Sequence, residues 1–241
     1  MNILAFDTAS STGAVAIIKN DVLVAASQLN VGLTHSEQLL PEVVHLMEMS
    51  KTSTKDLDAI AITCGPGSFT GLRIGFSTAK GMAMGIHKPL VPVPTLDVLA
   101  QNGQGFDGLV VPIMNARRNQ VYTAIYSSDG QHIEQKSEHQ AIGIDELLVQ
   151  INSQFADKKV FFTGDGVDVF RDVIMRELGD RAVLAQGTRK YVCADHLAFL
   201  ALAHMEQWSD MQGMRVEPLY LRESEAVIKW KEAHPGERLE D

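Results

Sequence analysis

The sequence is poor in cysteine and in aromatic residues. Its 241 residues include two cysteines, Cys64 and Cys193, and 6% aromatic residues. Two cysteines cannot supply the disulfide framework of a small secreted domain, and their spacing does not match a metal-binding motif. We therefore expect free thiols and a reducing compartment.

Positive charge is also scarce. Acidic residues number 30 against 21 Lys and Arg, which gives a net charge of −9. A protein that binds nucleic acid on its own generally presents a basic surface, so this balance argues against that class. If RNA is involved, another protein should hold it.

Long hydrophobic runs and a signal peptide are missing as well. No stretch of about 18 apolar residues predicts a membrane span, and no cationic segment precedes an apolar one at the amino terminus. Apolar residues make up 45% and charged residues 21%, as in ordinary globular proteins. These features predict a cytoplasmic protein with one large domain or two small lobes and no membrane attachment.

One stretch, residues 58–85, combines a strand, a glycine-rich turn and an unusual helix. The turn is CGPGSFTGLRIG at residues 64–75, and Ser68 or Thr70 can cap the helix expected over residues 70–85. The turn fits neither GxxxxGK[ST] nor GxGxxG. A phosphate cradle and a plain strand–turn–helix joint both stay open on this evidence.

Small residues recur every four positions along that helix. They are Gly71, Gly75, Ala79 and Ala83. Each interior glycine costs a helix about 0.8–1.0 kcal/mol relative to alanine, so the stripe needs a compensating close contact. The contact can be the chain's own sheet or another subunit.

A neighbouring helix, expected over residues 35–49, helps to decide whether the stripe contacts the chain's own sheet or another subunit. Its apolar positions span two faces, so one face can cover the sheet and the other can meet a partner. We therefore predict a subunit interface on the two helices. Its residues are His35, Leu39, Val43, Met47, Gly71, Gly75, Ala79 and Ala83.

Two turns carry side chains that suit a nucleotide. The first strand ends on Asp7 and leads into the hydroxyl groups of Thr8, Ser10 and Ser11; a later strand leads into a Gly-Asp-Gly turn at Asp165. These groups can contact phosphate, or they can simply satisfy backbone amides of the turns. The five residues are the candidate nucleotide-binding set.

The order of predicted elements occurs twice. Three strands, then helices alternating with strands, precede a glycine-rich segment at residues 101–108, and three further strands then restart the series. This order predicts an α/β fold with two tandem ribonuclease-H-like lobes, each a mixed sheet flanked by helices, at residues 1–104 and 105–241. The last helix, expected over residues 194–208, and the tail can pack back on the first lobe.

The turn GPGSFTGLRIG at residues 65–75 resembles the signature of the B subunit of the bacterial tRNA threonylcarbamoyladenosine biosynthesis machinery. That subunit is a non-catalytic relative of a metal-dependent transferase subunit in the actin-like and Hsp70-like ATPase superfamily. The Asp7 turn and the tail at residues 218–222 are also similar to the family. Segment 115–122 is similar too, but it opens with Asn115 where the family usually has an acid, which argues against an intrinsic metal site.

The resemblance also locates the residues that the catalytic relative uses to bind its metal. In that relative, two metal-binding histidines occupy the positions that hold Thr95 and Leu99 in this chain. Asp195 aligns near the position of the relative's carboxylate ligand. A hydroxyl and a hydrocarbon cannot replace two imidazoles. The resemblance thus implies no catalytic residue, no metal and no intrinsic cofactor, and it leaves weak ATP or ADP binding open.

As a function, the resemblance implies a non-catalytic scaffold subunit of the complex that adds threonylcarbamoyl to adenosine 37 of tRNAs reading codons that begin with A. The implied partners are the catalytic subunit, a small P-loop ATPase subunit and, through the complex only, tRNA; the isolated chain is expected to form a homodimer. One alternative is a free-standing actin-like-fold ATPase or small-molecule kinase using Asp7, Thr8 and Asp165. A peptidase is a third, and the absent histidine pair counts against it.

Overall fold

The computed structural model describes residues 1–32, 34–208, 212–223 and 225–234. Residues 235–241 of the predicted second lobe, with residues 33, 209–211 and 224, lie outside this part. None of the helices in the described ranges is long and apolar enough to cross a bilayer.

The first sheet has five strands in the order β3–β2–β1–β4–β5. These are β1 (Ile3–Asp7), β2 (Gly13–Lys19), β3 (Val22–Leu29), β4 (Ala59–Thr63) and β5 (Leu90–Val93). Strand β1 pairs antiparallel with β2 and parallel with β4. Because β1 and β4 are parallel, their carboxyl ends meet at one edge of the sheet, which places Asp7 beside Thr63.

Three helices belong to this lobe: α1 (His35–Met49), α2 (Phe69–Ile86) and α3 (Thr95–Ala100). Helix α1 starts at His35 and continues through Pro41. Helix α2 starts after Ser68, whose hydroxyl accepts the N–H of Gly71 at 3.3 Å, as the capping argument predicts. It ends at His87, where φ is 53°.

The second sheet repeats the arrangement with broken strands. Its strands are β6 (Asp107–Asn115), β7 (Gln120–Thr123), β8 (Tyr126–Asp129), β9 (Ile133–Gln135), β10 (Gln140–Gly143), β11 (Val160–Thr163) and β12 (Ala182–Leu184). Strand β6 pairs antiparallel with β7 and β8 and parallel with β11, which pairs parallel with β12. The two lobes therefore share one strand order, and the expected fold class is confirmed.

The sequence predicts three strands at the start of this series, whereas the structure has five, β6 to β10, before the first helix of the lobe. The break between β7 and β8 lies at Ile125, whose N–H donates to the hydroxyl of Ser137 at 2.8 Å. Its carbonyl accepts the N–H of Lys136 at 2.7 Å. A side-chain hydrogen bond thus replaces a regular rung of the ladder at this point.

The remaining helices are α4 (Ile144–Gln154), α5 (Gly166–Leu178), α6 (Ala194–Ala203), α7 (Met205–Trp208) and α8 (Glu225–Ala233). The helix expected over residues 194–208 is therefore interrupted, at His204. Helix α6 packs mainly on the first sheet, although it follows the strands of the second sheet in the chain. One buried cluster joins Ile3 of the first sheet, Val110 of the second and Leu197 of α6, so the hydrophobic core runs between the lobes. The boundary between residues 104 and 105 stays a prediction.

Candidate functional site

A cleft of about 770 Å³ lies between the lobes, where the central strands of both sheets end. Six segments contribute to its walls: the turn after β1, the β3–α1 loop, the turn between β4 and α2, the β6–β7 loop, the turn before α5 and a carboxyl-terminal segment. The residues that line it include Ser10, Ser11, Phe69, Asp165, Tyr220 and Arg222. Ligands of α/β folds bind at the carboxyl ends of strands, and a cleft of this size can hold a nucleotide.

Asp7, the last residue of β1, is completely buried. Its Oδ1 accepts the hydroxyl of Thr63 at 2.5 Å and the N–H of Ala9 at 3.1 Å. Burial raises the pKa of Asp7 to about 6, and these hydrogen bonds limit the rise. The other oxygen, Oδ2, is buried and has no hydrogen-bond partner among the described residues.

Thr8 is buried as well, and its hydroxyl donates to the carbonyl oxygen of Gly71 in α2 at 2.8 Å. The lining of the cleft begins at Ala9. Asp7 and Thr8 thus lie behind the wall, and the expectation that they face a ligand together with the other three residues of the set is corrected. The reason is that α2 packs directly on the turn after β1.

Ser10 and Ser11 line the cleft from the first lobe, and Asp165 lines it from the second. Oδ1 of Asp165 accepts the N–H of Asn115 at 2.9 Å, which ties the end of β6 to the turn before α5. Burial raises the pKa of Asp165. A carboxylate held in this way repels phosphate unless a cation lies between them, so nucleotide binding stays a prediction.

Close backbone contacts shape the glycine-rich turn. A Cβ atom on Gly65 would lie 2.5 Å from the carbonyl oxygen of Leu219, and one on Gly67 would lie 2.3 Å from that of Ala9. The N–H of Ser68 donates to the same Ala9 oxygen at 2.7 Å. These contacts favour a tightly packed strand–turn–helix joint over an open phosphate cradle.

The carboxyl-terminal segment, residues 213–223, crosses the cleft and contacts both lobes. Leu219 donates its N–H to the carbonyl oxygen of Cys64, the first residue of the glycine-rich turn, at 2.6 Å. The ring of Tyr220 stacks on Phe69 at the start of α2, with 4.3 Å between centroids. Arg222 donates to a carbonyl oxygen of the β6–β7 loop. The family-like tail is thus a strap across the cleft. The sequence analysis expected that the tail can pack back on the first lobe, and it did not expect the contact with the second lobe.

The small-residue stripe of α2 faces its own lobe. A Cβ on Gly71 would lie 2.0 Å from the carbonyl oxygen of Thr8, and one on Gly75 would lie 2.3 Å from the hydroxyl of the same residue. Ala79 and Ala83 are fully buried in the core of the first lobe. The prediction that these four residues form an open subunit surface is therefore wrong, because close packing within the lobe already covers them.

The predicted interface residues of α1 also face inward. Leu39 and Val43 are buried, and Met47 packs half-buried on the same core. His35 is half-buried, with its Nε2 2.7 Å from the carbonyl oxygen of Ser10. These four side chains belong to the fold of the first lobe rather than to an open surface, which corrects the choice of face.

Other apolar side chains of the two helices do reach the surface. Leu40 and Val44 of α1 are 49% and 52% exposed, and Met84 of α2 is 61% exposed. Gly81 of α2 has open space around it. Because α1 and α2 contact each other, their outer sides give the first lobe a surface with exposed apolar groups. We call this the α1–α2 outer surface, defined by Leu40, Val44, Gly81 and Met84.

Helix α3 holds the two positions that the resemblance aligns with metal-binding histidines. Thr95 is fully buried, and its hydroxyl accepts the N–H of Gly65 at 3.1 Å. Leu99 is buried in the core between the lobes. Both side chains are therefore used in packing and in fixing the glycine-rich turn.

Comparison with known proteins identifies the family. The model of the TsaD family, tRNA N6-adenosine threonylcarbamoyltransferase, matches residues 30–230. The tRNA threonylcarbamoyladenosine biosynthesis protein TsaB of Bacillus subtilis is 33% identical, over 97% of this chain and 99% of its own length. The protein of the same name from Escherichia coli is 32% identical, over 98% and 99%.

Solved structures agree in fold. A Pseudomonas aeruginosa protein described as similar to peptidase YeaZ superimposes with a TM-score of 0.76 at 24% identity, over 92% of this chain and 99% of its own. YeaZ from the same organism superimposes with a TM-score of 0.72 at 25% identity, over 91% and 99%. The resemblance drawn from the glycine-rich turn is confirmed over nearly the whole length: the chain belongs to the TsaB family of tRNA threonylcarbamoyladenosine biosynthesis proteins.

Proposed function

We propose that the chain is a non-catalytic scaffold subunit of the complex that adds threonylcarbamoyl to adenosine 37 of tRNAs reading codons that begin with A. The observation that carries this proposal is the pair Thr95 and Leu99 in α3. The Thr95 hydroxyl is bonded to the Gly65 N–H, and Leu99 lies in the core. Neither side chain can bind a catalytic transition metal in the place of histidine.

The proposed partners are a catalytic transferase subunit of the TsaD type and a small P-loop ATPase subunit. The net charge of −9 supports a division of labour in which tRNA reaches this chain only through the complex. The α1–α2 outer surface supports a protein contact on the first lobe, because it exposes three large apolar side chains. We place the assembly in the cytoplasm.

The cleft favours a second candidate, an actin-like-fold ATPase or small-molecule kinase. Its volume and its position at the ends of both sheets suit ATP or ADP. Against catalysis, Asp7 is buried behind the wall and Asp165 is bonded to the Asn115 backbone. Weak nucleotide binding alone agrees with both candidates, so turnover is what separates them.

Assays of the purified chain, alone and in a mixture with the catalytic and P-loop subunits, distinguish the candidates. We expect neither threonylcarbamoyl transfer, ATP hydrolysis nor peptide cleavage by the chain alone, and we expect transfer in the mixture to require it. Steady ATP turnover by the pure chain that Asp7→Asn abolishes would contradict the scaffold and support the kinase.

A further inference from the structure

Three donor side chains meet at the start of α6, outside the lining of the cleft. The sulfur of Cys193, a carboxylate oxygen of Asp195 and a ring nitrogen of His196 all lie within 4.8 Å of one another. Cys193 is the N-cap of the helix, and the other two residues belong to its first turn. The sequence spacing Cys-x-Asp-His matches no common metal motif, so this grouping could be found only in the structure.

One nitrogen atom of the cluster has no hydrogen-bond partner among the described residues. The Nδ1 atom of His196 is buried without a hydrogen-bond partner in the described part of the chain. The Cys193 thiol donates a weak hydrogen bond, 3.7 Å long, to the carbonyl oxygen of Tyr191. Buried polar atoms of a folded protein are nearly always satisfied, so an orphaned nitrogen here needs an explanation.

The surroundings of the sulfur are negative. The carboxylates of Asp195 and Asp7 both act on the Cys193 thiol, and Asp195 has an oxygen within 4.8 Å of the sulfur. Asp7 is the fully buried carboxyl group whose Oδ2 has no hydrogen-bond partner in the described ranges. A bound cation would offset the repulsion between a thiolate and these carboxylates.

We propose that Cys193, Asp195 and His196 form a zinc-binding site. Thiolate, imidazole and carboxylate together are a donor set that Zn²⁺ prefers. Zinc–ligand distances are about 2.0–2.3 Å, so tetrahedral donors lie roughly 3.3–3.8 Å apart and these side chains need to close by only about 1 Å. Three protein ligands leave the fourth position to water. All three residues are half-exposed, which leaves a path for the ion.

This donor set is independent of α3 and of the scaffold role. Thr95 and Leu99 take no part in it, and the site does not depend on which function the cleft has. The prediction of no intrinsic metal came from the missing histidine pair and from Asn115, and none of these positions belongs to the cluster at the start of α6.

The test titrates the metal-free full chain with Co²⁺ as a spectroscopic probe and then displaces the cobalt with Zn²⁺. We expect one equivalent of Co²⁺ to give a sulfur-to-cobalt charge-transfer absorption that Zn²⁺ removes. The chain has two cysteines. Cys193→Ser should therefore abolish the absorption, and Cys64→Ser, the matched control at a buried site in another segment, should keep it.

Two further variants test the other ligands. Asp195→Asn and His196→Gln should each weaken Zn²⁺ binding by at least about 10-fold, in line with the loss found when metal-site residues are replaced. His204→Gln, an exposed histidine just past α6, should leave the affinity unchanged. Circular dichroism checks that each variant is folded.

Alkylation of the unmodified chain gives an answer that does not depend on any variant. Zn²⁺ should slow modification of the half-exposed Cys193 at least about 10-fold, because a metal-bound thiolate is no longer free to react. Wild-type chain that gives no charge-transfer absorption, or an absorption that disappears in Cys64→Ser and persists in Cys193→Ser, would overturn the proposal. Equal alkylation with and without Zn²⁺ would also overturn it.

Discussion

The hydroxyl of Thr63, at the end of β4, donates to Oδ1 of Asp7, at the end of β1, at 2.5 Å. The bond joins two parallel strands at the edge that faces the cleft. It satisfies one carboxyl oxygen and leaves Oδ2 buried without a partner among the described residues. A carboxyl group with half of its hydrogen-bonding capacity unused is costly to ionise.

The first prediction concerns the pH dependence that follows from this cost. Burial raises the pKa of Asp7 from 3.8 to about 6, so the folded state holds the proton more tightly than the unfolded state. The contribution of the Asp7 carboxyl group to the free energy of unfolding is therefore complete below about pH 4, and it is lost as the pH rises through about 6. A difference of about 2 pKa units corresponds to roughly 3 kcal/mol.

Asp7→Asn keeps an acceptor for Thr63 and removes the charge. We expect the variant to be more stable than wild type at pH 8 by up to roughly 3 kcal/mol, and the gain to disappear near pH 4. Urea denaturation at both pH values measures it, with Asp157→Asn at an exposed position as the matched control. A gain for Asp7→Asn that is equal at both pH values would contradict this origin.

A pair of glycines in α2 gives the second prediction. Gly71→Ala places a Cβ 2.0 Å from a backbone carbonyl oxygen of Thr8, which cannot rotate away, so we expect destabilisation of about 1–3 kcal/mol or more. Gly81→Ala enters open space in the same helix and should stabilise by about 0.8–1.0 kcal/mol. Thermal or urea unfolding of the two variants compares them directly. Effects of the same sign would show that the stripe is not in tight contact.

These glycines also show where sequence reasoning reaches its limit. The stripe at Gly71 and Gly75 correctly indicated a close backbone contact, because only such a contact offsets the weak helix propensity of glycine. The pattern carries no information on whether the contact is internal or made with a partner. Helix α1 has the same ambiguity, since it has two apolar faces and either face can cover the sheet.

The fold was predictable to a greater extent than the site. Strand and helix periodicities recovered both series of elements, because hydrophobic alternation is dictated by burial against a sheet. The break at Ile125 was not predictable, since it depends on the hydroxyl of Ser137, twelve residues away. Asp7 was recognised as the end of a strand, but its burial behind α2 depends on packing that local pattern does not encode.

The third prediction tests the strap across the cleft. Tyr220→Ala removes the ring that stacks on Phe69 and should cost about 0.5–1.5 kcal/mol in docking of the segment. We expect faster hydrogen exchange and proteolysis in residues 213–223, with the two lobes little changed. Phe199→Ala is the matched control, because Phe199 is 41% exposed and Tyr220 is 38% exposed. Unchanged protection in the Tyr220 variant would mean that the stack does not hold the strap.

Binding of tRNA supplies the fourth prediction. A chain with a net charge of −9 should bind tRNA only weakly on its own, because affinity for nucleic acid depends on neutralising phosphates. Filter binding or fluorescence anisotropy at physiological salt measures it, with the assembled complex for comparison. Sub-micromolar affinity of the isolated chain would be incompatible with a scaffold that meets tRNA only through its partners.

The last prediction concerns the α1–α2 outer surface. Val44 is 52% exposed in the middle of α1, so Val44→Asp should keep the fold and place a charge among apolar contacts of any partner seated there. A buried unpaired carboxylate is strongly unfavourable, and we expect at least a 10-fold loss of association with the catalytic subunit.

The homodimer expected of the isolated chain should weaken in the same variant if both assemblies use this surface. Adding the catalytic subunit to the wild-type chain should then dissociate homodimers. Val149→Asp, at a position 66% exposed on α4 of the second lobe, introduces the same charge and should affect neither assembly. Light scattering measures the homodimer, and co-purification measures the heteromeric complex. Normal association by Val44→Asp, or its loss in Val149→Asp instead, would place the contact on another part of the molecule.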